Sequence, residues 1–70
     1  MGNLSKRLAK RLLELRGDIP QYLFARRLGI SKSSLNRMEM GDQNVALKTL
    51  ERLCTQLKCD VADLFPKEPR

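Results

Sequence analysis

Seventy residues carry 14 Lys/Arg against 8 Asp/Glu and no His, a formal net charge of +6. A chain this short buries only about 60% of its unfolded surface, enough for one core and not for a separate lid or catalytic cleft. No apolar run approaches the roughly 20 residues of a membrane span.

The charge is uneven. Residues 1–37 hold nine Lys/Arg against Glu14 and Asp18, a net +7, whereas residues 38–70 hold five against six, a net −1. A positive field confined to one half suits a polyanionic partner, nucleic acid or an anionic membrane. The basic N-terminus has its apolar residues interrupted every few positions by Lys or Arg, unlike a signal peptide, so a soluble, cytoplasmic protein is expected.

Residues Met1–Gly2 read as a frayed end, and Asn3 suits an N-cap for a helix over 4–16. Leu4, Leu8, Leu12 and Leu15 repeat at four, four and three, the spacing of one helical face. Lys6, Arg7, Lys10 and Arg11 cover much of the remainder; a core helix with a solvated face is favoured over one lying on a membrane. Gly17 ends it. Asp18, followed three residues on by Gln21, spells a capping box, so the next helix, over about 20–28, starts at Asp18 or nearer Gln21. Phe24, Ala25 and Leu28 share one side of it.

Gly29 stands where a helix ends through a residue that accepts positive φ, and Ser31 can cap the next one. Two short helices joined by such a turn describe a helix-turn-helix. In the third helix, over 31–40, successive residues advance by about 100°. With Lys32 at zero, Asn36 falls at about 40°, Ser33 at about 100° and Arg37 at about 140°. Leu35 and Met38 fall at about 300° and 240°, on the opposite side. The helix is thus anchored by two apolar residues and offers Lys32, Ser33, Asn36 and Arg37, all able to bond a base edge or a phosphate.

Gly41-Asp42-Gln43-Asn44 reads as a loop, with Gly41 capping the third helix. Leu47, Leu50, Leu53, Cys54 and Leu57 then form a wide apolar stripe on a fourth helix over 46–58. Asp60 and Asp63 introduce a short fifth helix over 60–65, carrying Val61, Leu64 and Phe65; Pro66 stops it, and a disordered tail is expected over 67–70. The chain is therefore expected to be all-α, one domain over 1–66 with no strand.

Cys54 and Cys59 stand five apart, matching neither CxxC nor a zinc spacing, with no His to complete a site. On a helix that separation places them on different faces, so an internal disulfide is not expected. Reduced thiols serving as small core hydrophobes, in a reducing compartment, are expected instead. No general acid–base pair and no nucleophile–base arrangement is visible, so neither catalysis nor a metal nor a cofactor is expected.

Taken in register, these residues resemble the phage lambda repressor/Cro-type helix-turn-helix family, a compact five-helix DNA-binding fold. The resemblance spans roughly residues 8–65. It rests on Gln21, Ala25 at the helix crossing, Gly29 in the turn, Phe24, Leu28, Ile30, Leu35 and Met38 at apolar positions, Glu39 before Gly41, and LKTLERLCTQL running into DVADLF. It implies that Gln21 holds the DNA backbone and orients the recognition helix, and that Lys32, Ser33 and Arg37 read bases in the major groove. Ser31, Ser34 and Asn36 would assist, and Gln43 and Asn44 would supply a second phosphate contact. It further implies a homodimer on double-stranded DNA at a near-palindromic operator, joined through the last two helices with Leu64 and Phe65, in a cytoplasmic, prokaryotic or phage-encoded repressor. The alternative is an antitoxin-like or other protein-interaction module. No small-molecule ligand is expected.

Four positions depart from the family pattern. Pro20 and Ala46 stand where Ser or Thr usually cap the second and fourth helices, leaving Asn44 as a substitute cap for the fourth. Glu14 stands where an Arg often meets the glutamate near the end of the third helix, which leaves Arg11 or Arg16 to meet Glu39. Met40 lies on the outward face, either against a thymine methyl or simply exposed.

Overall fold

A computed structural model describes residues 4–42 and 45–65. The leucine repeat of the N-terminal segment becomes α1 (Leu4–Arg16), which buries Leu8, Ala9 and Leu12. Leu4, at its exposed start, stays 58% accessible. Gly17, at φ +54°, turns the chain out of α1.

The second helix, α2 (Gln21–Leu28), starts at Gln21 and not at Asp18. Proline disfavours the helical conformation in the residue before it, so Ile19 cannot join the helix. Pro20 takes the cap position with φ −56° and ψ 142° and no side-chain bond, and its carbonyl accepts from Leu23 and Phe24 N–H. The capping box expected of Asp18 and Gln21 does not form, because Pro20 is the N-cap and Gln21 the first helical residue, not the third.

Gly29, at φ +72°, reverses the chain, and Ile30 N–H reaches back to Ala25 carbonyl at 3.1 Å, the bond of a Schellman cap. Ser31 opens α3 (Lys32–Glu39), its hydroxyl accepting from Ser34 N–H at 3.0 Å. Gly41, at φ +86°, closes α3 the same way, with Asp42 N–H bonded to Arg37 carbonyl at 3.0 Å.

Next come α4 (Leu47–Leu57) and α5 (Val61–Leu64). Ala46 caps α4 without a side-chain bond. The expected substitute, Asn44, lies with Gln43 outside the described residues, as does the tail from 66. Asp60 N–H donates to Asp63 carboxylate at 3.0 Å at the start of α5.

The five helices meet on one core. Leu8, Leu12, Phe24, Ala25, Leu28, Leu35, Met38, Leu53 and Leu64 form it, and among the described residues no polar residue is buried as a whole. α3 is backed by α1 and α2, while α5 fits between α1 and α4. Two expectations change here. Leu64 is completely buried, since a four-residue helix has one inward position and Leu64 occupies it, so its side chain offers no surface to a second copy. Phe65 is half-buried against the core. Leu47, expected on the inner stripe of α4, is 77% exposed at the helix's first turn.

Candidate DNA interface

The outer face of α3 is set by what lies behind it. Leu35 and Met38 are buried, and their burial turns Lys32, Ser33, Asn36 and Arg37 to solvent. Among the described residues, neither Lys32 nor Arg37 enters an ion pair. Ser31 and Ser34 serve the helix itself: beyond the cap, their hydroxyls are bonded at 2.9 Å.

The end of α3 is held by a charged cluster. Glu39, with a side chain only 5% exposed, accepts from Arg16 Nε at 2.7 Å and from Gln21 Nε2 at 2.8 Å. Arg16 also donates through Nη1 to the Ile19 carbonyl at 3.0 Å, tying the α1–α2 connection into the same cluster. Of the two candidates for Glu39, then, Arg16 is the partner. Arg11 instead meets Glu14 at 3.6 Å and the Asp63 carbonyl at 3.0 Å, on the other side of α1. Charge-assisted bonds of this kind are shorter and stronger than neutral ones.

Gln21 Nε2 also donates to Asn36 Oδ1 at 3.3 Å, and Asn36 Nδ2 lies 3.6 Å from Met40 Sδ. Met40 is 78% exposed. One side of α3 thus carries a linked row running from buried Glu39 through Gln21 to exposed Asn36.

The sequence reading did not single out Lys48 and Arg52, one turn apart on α4. The structure brings both to the helix-turn-helix turn, where they line a polar cleft with Ser31, Ser34 and Thr49. Arg52 Nη1 donates to the Gly29 carbonyl at 2.8 Å, bracing the turn against α4. Their i, i+4 spacing on the polar face of an amphipathic helix was the available signal.

A scan against family models matches residues 3–69 to the Cro/C1-type HTH DNA-binding domain. The chain belongs to that family. No curated protein and no solved structure matches it. This Cro/C1-type domain is accordingly an all-helical DNA-binding unit with its helix-turn-helix at α2 and α3. No helix among the described residues is long and apolar enough to cross a membrane.

Proposed function

We propose that this Cro/C1-type domain is a sequence-specific repressor that inserts α3 into the major groove of a near-palindromic operator as a homodimer. The observation that carries the reading is the α3 face from Lys32 to Arg37, exposed and, among the described residues, in no ion pair, while Leu35 and Met38 hold it from behind.

Arg37 reads a guanine, since a guanidinium bonds O6 and N7 together, a discrimination of about 1–3 kcal/mol. Lys32, in the first turn, meets a phosphate or base, and Ser33 and Asn36 contact neighbouring base edges. Gln21 spends its amide donor on Glu39 and Asn36 in the free protein. A phosphate oxygen can only accept, so Gln21 contacts it by giving up one of these bonds. The 3.3 Å bond to exposed Asn36 is the weaker, whereas that to buried Glu39 is short and charge-assisted. Releasing Asn36 also frees its carbonyl oxygen to accept from a base. Gln43 and Asn44 keep their proposed place as a second phosphate contact, and Lys48, in the cleft at the helix-turn-helix turn, adds another.

A second copy docks on the exposed apolar surface at Leu47 and Val61, flanked by half-buried Leu50. Two recognition helices about 34 Å apart then meet successive major grooves. Operator occupancy by the dimer blocks transcription.

Selection of bound sites from random duplex DNA tests this directly. Two-fold symmetric half-sites one helical turn apart are expected. Arg37→Ala should relax preference at one base pair per half-site while circular dichroism stays unchanged; undiminished selectivity would remove Arg37 from its role.

A further inference from the structure

Helix α4 ends as α2 does. Lys58 adopts φ +53°, Lys58 N–H bonds Thr55 carbonyl at 3.3 Å, and Cys59 N–H bonds Cys54 carbonyl at 3.0 Å. In this Schellman geometry the residue after the reversal returns over the residue five before it, and an apolar contact between the two normally closes the cap. At α2 that pair is Ala25 and Ile30. At α4 it is Cys54 and Cys59. Five residues set two side chains on different faces only while the helix continues, and here α4 ends at Leu57, between the two cysteines.

Both cysteines are free, half-buried and packed against the core, and Cys54 also lines the open apolar groove beside Leu47, Leu50 and Val61. Burial first, then the neighbouring Cys54 thiol, pushes the Cys59 thiol above its ordinary value. A disulfide requires Cα atoms within about 7 Å, a reach that a turn closed by this backbone bond satisfies.

We propose that Cys54 and Cys59 form a reversible dithiol–disulfide couple which, when oxidised, ties the last turn of α4 to the residue leading into α5. The oxidant is a small disulfide such as oxidised glutathione. One cysteine loses its proton, and its thiolate attacks the oxidant, giving a mixed disulfide and releasing one glutathione thiolate. The other cysteine, deprotonated in turn, attacks the protein sulfur of that mixed disulfide and expels the second glutathione. Two protein thiols are oxidised, one glutathione disulfide is reduced, and the two protons end on the two glutathiones. The inference stands apart from the DNA-binding reading.

The test incubates the full chain with oxidised glutathione, quenches in acid and measures intact mass, beside Cys54→Ser and Cys59→Ser. The folded wild type should lose two hydrogens, carry no glutathione and stay a single chain on a non-reducing gel. Each variant should stop at one glutathione adduct. The same closure in urea, where the α4 cap is gone, should be at least several-fold slower. A wild type that stays reduced, retains glutathione, links two chains or closes no faster folded than unfolded overturns the proposal. The wild-type comparison decides even if a serine variant misfolds.

Discussion

At the scale of single residues, the Arg16–Glu39 pair carries the sharpest consequence. Its carboxylate is buried and its guanidinium about a quarter exposed. Removing one partner of a fully buried pair costs about 3–5 kcal/mol, because the other is left charged and unpaired. Solvent at Arg16 and the remaining Gln21 bond reduce that here. Arg16→Met should therefore lower unfolding stability by about 2 kcal/mol in urea titration, and an unchanged midpoint would show the pair to be idle. Glu39→Gln keeps the shape while dropping the charge, so it should preserve the fold and weaken DNA binding by loosening Gln21.

Single helices show where local chemistry is left incomplete. α4 starts at Ala46, whose φ of −71° and ψ of 149° are those of an N-cap, but whose methyl cannot accept from the first-turn N–H groups. Ala46→Ser supplies the acceptor and should raise stability by about 0.5–1 kcal/mol, read as an upward shift of the thermal midpoint. α3, by contrast, already has its serine cap and should gain nothing from such a change. The outer surface of α4 and α5 gives a further expectation. Leu47 and Val61 are 77% and 47% exposed, so changing both to Glu should leave the monomer's stability within about 0.5 kcal/mol while abolishing self-association in analytical ultracentrifugation. Leu53→Ala on the same helix serves as the contrast, since a fully buried leucine costs about 2–5 kcal/mol when truncated.

For the whole molecule, charge distribution governs. The net +7 of residues 1–37 lies in the half that contains α2 and α3. Each phosphate neutralised releases condensed counterions, so a dimer making six to ten such contacts should lose about 10³–10⁵ in affinity between 50 and 200 mM salt. Fluorescence anisotropy across a salt series measures the slope. Lys32→Ala should flatten it by about one contact per chain if Lys32 meets phosphate, and leave it unchanged if Lys32 reads a base.

Helix placement, the turn at Gly29, the Ser31 cap and the burial of Phe24, Leu35 and Met38 are all legible in the residues themselves. Each depends on neighbours three or four positions away, or on a conformation one residue alone can adopt, and such interactions are written in sequence spacing. Which arginine meets Glu39 depends on how α1 is set against α3, a long-range packing outcome that left Arg11 and Arg16 equivalent until the helices were in place. The same holds for Leu64 turning inward, for Arg52 reaching the Gly29 carbonyl, and for Cys59 folding back on Cys54 once Lys58 leaves the helix. Periodicity specifies which face of a helix is apolar; only the assembled core determines what stands opposite it.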